Sequence, residues 1–263
     1  MWSTPIRAHC YSTWDTWFRR LGVGFEVLQQ GLWLGLLDNQ HLDEVGRVQY
    51  ARWSKYGDEA YNLSGLLPWE ERVIADYYPS SCSILVGAAG GGREPVALAR
   101  MGYHVDAFDS TPVLAECCRQ LMEREQLPGK VFVAGAGRVP DDVDGQYDGV
   151  VIGWGGYMHI PGRGNRVAFL TALRRRVAAG APLLLSFFCR RERSRRHDWI
   201  HAFARQVRYL RRSRDPVEYG DTLASTFDHF FTEAEIRTEL AEAGFELFDY
   251  RESPYGHAVG RAV

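Results

Sequence analysis

The 263-residue sequence predicts an α/β fold, a doubly wound and mostly parallel sheet carrying a helical cap at its N-terminal end. Three observations predict it. From Ser83 onward short apolar runs alternate with longer periodic segments, the texture of βαβ units. A glycine-rich turn, Gly87-Ala-Ala-Gly-Gly-Gly92, follows the first of those runs. Before them, residues 1 to about 80 are aromatic-rich with apolar positions at helical spacing and no strand run. The division is therefore a helical cap or substrate lid over 1–75 and a ligand-binding core over 76–263.

Within the core, the runs predict strands at 83–87, 104–108, 131–134, 148–152, 182–188 and 245–250. Helices are predicted between them at 94–101, 112–124, 165–178, 198–212 and 232–243. Thr232 followed by Glu235 fits a capping box that starts the last helix. Tyr255 to Val263 can return as a final edge strand, antiparallel to its neighbour. In the cap, Trp14, Trp17 and Phe18, then Phe25, Leu28, Leu32 and Leu36, mark helical stripes. Trp33, Tyr50 and Trp53 join an aromatic set that suits an apolar pocket, the cap's own core or a homodimer interface. Tyr56, Tyr61 and Asn62 lie in a more polar stretch and are expected in the pocket.

Composition narrows the classes. Hydrophobic residues are 46% of the chain and charged ones 24%, enough apolar surface to close a core. The longest apolar runs, such as Ala181 to Cys189, fall far short of the roughly 20 residues of a membrane-spanning helix. The start of the chain scatters Arg7, His9 and Asp15 among tryptophans, unlike a secretory signal, so a cytoplasmic location without membrane partners is expected. Cys10, Cys82, Cys117, Cys118 and Cys189 form neither a CxxC pair nor an even set, which argues against a zinc site or a disulfide framework. The histidines His159, His197, His201 and His257 have no accompanying carboxylate spacing, so no metal is expected. The net charge of −2 conceals residues 190–214, with ten arginines against Glu192 and Asp198. Such a patch can attract nucleic acid. Trp199, Phe203, Val207 and Leu210 give it one apolar helical stripe, which favours a solvated helix face over a nucleic-acid site.

The chemistry concentrates where the first strand ends. Glycines at 87, 90, 91 and 92 let the chain turn and let a ligand approach the backbone without meeting a Cβ. Asp109 ends the next apolar run, 17 residues beyond Gly92, where a carboxylate can accept from both ribose hydroxyls. It can equally cap the helix that Pro112 begins, and the two roles are compatible.

These ordered features resemble the class I S-adenosylmethionine-dependent methyltransferase family over roughly residues 83–253. Ala88-Ala-Gly-Gly-Gly92 looks like the family's first motif, with Ala88 at its usual first glycine, and Asp109 resembles its ribose-binding acid. Tyr147 to Pro161 is similar to the motif closing the fourth strand and opening the active-site loop. Ala179-Gly180 with Pro182 to Phe188, and Phe231-Thr-Glu through Phe245, look like the later elements. Val86 and Gly135-Ala136 depart from the pattern, standing where acidic residues are common. The resemblance implies a Rossmann-like core and S-adenosyl-L-methionine bound by Gly87, Ala88, Ala89, Gly90, Gly92, Glu94, Asp109, Ser110, Thr111, Gly153 and Trp154, with Tyr56 and Tyr61 from the cap. Nicotinamide cofactors fit less well, because the glycine register differs from GxGxxG and Glu94 would face a pyrophosphate.

Methyl transfer chiefly needs donor and acceptor aligned, since a sulfonium already supplies the leaving group. Where the acceptor must lose a proton, His159 and Tyr157 on the loop after the fourth strand, and His229 before the late helix, are the candidate bases. Each can instead be a hydrogen-bonded loop residue. The expected activity is methyl transfer to an O or N nucleophile of a small, natural-product-like molecule. A macromolecular acceptor held by the arginine segment and a non-catalytic binding protein remain the alternatives.

Overall fold

The computed structural model describes residues 22, 24–190 and 193–263. Trp14, Trp17, Phe18 and Cys10 lie outside the described residues. The chain enters through helices α1 (24–36), α2 (Asn39–Arg52), α3 (Ser54–Gly57), α4 (Glu59–Asn62) and α5 (Pro68–Tyr77). The alternation then runs β1 (Ser83–Gly87), α6 (Arg93–Arg100), β2 (His104–Asp109), α7 (Pro112–Arg124), β3 (Val131–Val133) and β4 (Gly149–Ile152). It continues through α8 (Arg163–Arg174), β5 (Pro182–Cys189), α9 (Arg195–Arg211), β6 (Asp221–Leu223), β7 (Phe227–Phe231), α10 (Glu233–Glu242), β8 (Phe245–Arg251) and β9 (Gly256–Ala262).

Strands β3, β2, β1, β4 and β5 pair in that order and parallel, and β9 and then β8 complete the sheet antiparallel. The order reverses between β1 and β4, and in open α/β sheets ligands bind at the carboxyl ends beside such a reversal. Successive side chains on a strand face opposite ways, which divides the core in two. Leu85, Val150, Ile152, Leu183 and Leu185 pack under α8 and α10, while Ile84, Val86, Val151 and Leu184 pack under α5, α6 and α7. The capping box is formed, with the Thr232 hydroxyl accepting from the Glu235 N–H.

Three expectations change. The C-terminal strand β9 is not an edge, because it pairs with β5 through Pro182–Phe187 and with β8 on its other side. Its mostly small residues, Gly256, Ala258 and Gly260 among them, suit a strand covered on both faces. The hairpin β6–β7 was not anticipated, since β6 is three residues long and β7 is punctuated by Asp228 and His229; it joins the end of β5 at Phe188 and Cys189. On α9 the predicted stripe is displaced. Trp199 and Leu210 are 69% and 71% exposed, whereas Ile200, Ala204 and Arg208 are buried. Arg208 belongs inward because its guanidinium donates to the carbonyls of Leu34, Leu37 and Asp215, closing the end of α1.

The N-terminal helices divide among three neighbours. α1 lies on α9, its Gly31 and Gly35 against Ile200, Phe203 and Val207. α5 packs on the sheet through Trp69, Val73 and Ile74. Between them, α2, α3 and α4 reach the carboxyl ends of the strands, where the cavity opens.

Candidate active site

The turn after β1 is built from backbone constraints. Ala88 holds φ +52° and Gly90 φ +54°, and the left-handed conformation is costly for any residue with a Cβ. Gly91 has no room for a side chain, because a Cβ there would stand 2.1 Å from the Tyr56 carbonyl oxygen and 2.3 Å from Asn62 Nδ2. The loop and the α3–α4 corner are thus in backbone contact, and Asn62 Nδ2 donates to Tyr56 O at 3.0 Å. Asp109, at the end of β2, stiffens the turn from the other side. Its two carboxylate oxygens accept the N–H groups of Gly90 at 2.8 Å and Thr111 at 2.7 Å. Burial pushes the Asp109 carboxyl above its ordinary value, and those donors pull it back.

Glu94, in the first turn of α6, is 5% exposed. It pairs with Arg93 at 2.6 Å and accepts the Trp154 N–H at 3.0 Å, while Arg93 forks onto Glu70. Burial raises the Glu94 carboxyl and the Arg93 guanidinium opposes that shift. Asn62 Oδ1 is buried with no hydrogen-bond partner.

One cavity collects these groups at the carboxyl ends of β1, β2 and β4. Ala88, Ala89, Gly90, Glu94, Asp109, Ser110, Thr111, Trp154, His159, Tyr56 and Tyr61, all expected from the sequence, line it. Gly87, Gly92 and Gly153 lie just behind the lining; a Cβ on Gly87 would strike Phe108, and one on Gly153 would strike the Ala88 carbonyl. Their part is to let the chains meet. Gly135 and Ala136 also line the cavity, beyond β3.

Two candidate bases are placed elsewhere. Tyr157 is fully buried, stacked on Phe231 and donating to Glu239 at 2.5 Å, so it does not face the cavity. Burial and the Glu239 charge raise its phenol well above the ordinary value. His229 is also fully buried, bonded to Asp221 at 2.7 Å and edge-on to Phe231. Burial pushes its imidazole down to about 4, which keeps it neutral at physiological pH. Among the described residues, Glu218, Asp221 and His229 have ligand atoms within 4.8 Å of one another. Arg166 already occupies that cluster, bonding Glu218 at 2.6 Å and Glu239 at 2.7 Å, and so supplies the positive charge a cation would bring.

His159 stays at the cavity wall, hydrogen-bonded to the Tyr50 hydroxyl at 2.7 Å and to the Phe227 carbonyl at 2.8 Å, with the Asp228 carboxylate 3.0 Å from Nδ1. The sequence reading named Tyr50 only as one aromatic among many and missed Asp228. Tyr50 and His159 are 109 residues apart, and nothing local in the chain announces their meeting. Burial alternates along Phe227–Phe231, with Asp228 and His229 on opposite faces, but the order Phe-Asp-His-Phe-Phe does not itself alternate apolar and polar residues. Leu42, Asp43 and Gly46 from α2, with Phe227 from β7, complete this side of the cavity.

No family model and no curated protein sequence matches the chain. Solved structures do. A SAM-dependent methyltransferase from Methanosarcina mazei superimposes with TM-score 0.55 at 21% identity, over 76% of this chain and 99% of that one. The 1,6-didemethyltoxoflavin N1-methyltransferase of Burkholderia thailandensis, with bound 1,6-didemethyltoxoflavin and S-adenosylhomocysteine, gives 0.59 at 16% identity over 86% and 91%. A SAM-bound amino pentose methyltransferase from Micromonospora echinaspora, involved in calicheamicin biosynthesis, gives 0.52 at 16% over 83% and 95%. With its strand order and its cavity at the β1–β4 reversal, the chain has the Rossmann-like fold of the class I S-adenosylmethionine-dependent methyltransferases.

Proposed function

We propose that the protein transfers a methyl group from S-adenosyl-L-methionine to an O or N nucleophile of a small molecule. The observation that carries this reading is the convergence of the glycine loop, Asp109, Glu94 and His159 on one cavity walled by Tyr50, Tyr56 and Tyr61. The donor set suits this cofactor's chemistry. An ammonium and a sulfonium call for acceptors and a carboxylate, and the orphaned Asn62 Oδ1 and the buried Glu94 supply them on the same side. A pyrophosphate would meet Glu94 unfavourably.

When bound, S-adenosylmethionine supplies a methyl group already activated on sulfur. The chain's own residues then have to hold, align and keep dry. Asp109 braces the loop through Gly90 and Thr111 and retains lone pairs for ribose hydroxyls. The bare backbone at Gly90, where a Cβ would stand in open space, lets a ligand lie against the chain, while Gly91 lets the loop meet the α3–α4 corner. The α2–α4 segment acts as the lid, and its tyrosines exclude water from the transfer line. A small acceptor is favoured because no residue of 190–214 among the described ones lines the cavity, which separates the arginine helix from the chemistry. Fold relatives that act on 1,6-didemethyltoxoflavin and on an amino pentose agree with that size class.

Titration calorimetry with S-adenosylmethionine, S-adenosylhomocysteine and NAD tests the reading. Micromolar binding of the first two and none of NAD is expected; binding of NAD alone ends the proposal.

A further inference from the structure

Helix α2, the loop after β4 and the β6–β7 hairpin bring three polar side chains, Tyr50, His159 and Asp228, together at one side of the cavity. His159 Nδ1 lies 2.8 Å from the Phe227 carbonyl oxygen and 3.0 Å from Asp228 Oδ1. A carbonyl and a carboxylate can only accept, so Nδ1 carries the ring hydrogen and Nε2 keeps its lone pair. Nε2 lies 2.7 Å from the Tyr50 hydroxyl, which therefore donates to it. The phenol oxygen keeps its own lone pairs, and Tyr50 and His159 both line the cavity. Burial holds the Tyr50 phenol above its ordinary value, so its resting form is neutral. Asp228 touches the imidazole and not the cavity lining, which makes it a positioning residue.

We propose that Asp228, His159 and Tyr50 form a proton relay for an un-ionised aromatic hydroxyl, so that the acceptor class is a phenol. This rests on the methyl-transfer reading above. The acceptor O–H passes its proton to the Tyr50 oxygen while Tyr50 passes its own to His159 Nε2. The freed oxygen pair forms the new bond to the methyl carbon, and the carbon–sulfur bond breaks with its electrons going to sulfur. The products are an aryl methyl ether, a neutral thioether and an imidazolium facing Asp228, which returns its proton to water. A neutral amine attacks through its own lone pair and needs no base beforehand. Imidazole ionises near about 6.5 and a phenol near about 10, a far closer match than imidazole with an alkyl alcohol.

Nitrogen-15 NMR of the labelled full-length chain reads the tautomer directly, with His159→Gln identifying the signal. The Nδ1–H form is expected in the parent, and a mixture of tautomers in Asp228→Asn, whose amide can also donate. Turnover, read as S-adenosylhomocysteine release, is compared on a set of one- and two-ring phenols and the matched aromatic amines. Phenols are expected to react, with the rate falling at least tenfold in Asp228→Asn and in Tyr50→Phe while S-adenosylhomocysteine affinity stays within twofold. An Nε2–H tautomer in the parent, or turnover of the amines without the phenols, overturns the relay. Loss of S-adenosylhomocysteine binding in the parent is a different failure, that of the cofactor reading itself.

Discussion

Asp109→Asn is the substitution whose effect the structure determines most fully, because the carboxylate serves the loop before it serves a ligand. Each oxygen accepts one backbone N–H, from Gly90 at 2.8 Å and from Thr111 at 2.7 Å, at a site 7% exposed. An asparagine has a single acceptor oxygen, so its amide nitrogen must face one of those donors. The variant loses one hydrogen bond to a charged group, about 1.5–3 kcal/mol, and leaves a buried N–H opposite another donor. Relief of the buried charge, which raises the Asp109 carboxyl in the folded state, offsets part of this. A net loss of about 1–2 kcal/mol is expected, lowering the melting temperature by about 2–8 °C for a domain of this size. On the proposed function, affinity for S-adenosylhomocysteine should fall by roughly tenfold or more, since the substitution alters both a cavity-lining carboxylate and the loop it braces. Thermal denaturation and calorimetry on the same preparation separate the two effects. An unchanged melting temperature refutes the bracing role, and unchanged affinity shows that the cofactor does not lie against Asp109.

Gly91→Ala forces a Cβ to within 2.1 Å of the Tyr56 carbonyl, so the α3–α4 corner should be pushed off the loop at about 1–3 kcal/mol; proteolysis within 54–62 should quicken, and resistance equal to the parent's would count against the contact. Asp43, whose carboxyl burial pushes up to about 6 against an unfolded value of 3.8, costs the folded state stability at neutral pH, and that cost disappears as pH falls from about 6 to below 4. Asp43→Asn should therefore stabilise by about 1 kcal/mol at pH 7, after allowance for partial screening, and by nothing at pH 4; denaturant titrations at both pH values check the sign. Glu239→Gln leaves Arg166, 1% exposed, with a weakened partner and should cost about 3 kcal/mol or more in chemical denaturation. For the arginine helix, filter binding at physiological salt is expected to show no submicromolar RNA affinity, and a tight, steeply salt-dependent complex would reopen the macromolecular reading.

Much of the architecture is written in short stretches of chain. The apolar runs located β1 to β5 and β8, the glycine turn located the loop, and Thr232 with Glu235 located the start of α10, because each is decided by neighbours within a few residues. Asp109 was legible as the residue that ends an apolar strand, and the structure places it at the cavity for the same reason. Other features depend on contacts between distant segments. The tightly covered position of β9 follows from its pairing with both β5 and β8, and Arg208 turns inward only because the end of α1 offers it two carbonyls and Asp215 a third. Tyr157 and His229 carry suitable chemistry in the sequence, yet packing against Phe231 and the Arg166 network withdraws them from the cavity. By itself the sequence determined the parallel core and the glycine loop whose residues line the cavity. Only the tertiary structure decided which histidine faces the cavity and that Asp228 and Tyr50 stand on either side of it, since a side chain's orientation is set by long-range burial and by the donors and acceptors that surround it.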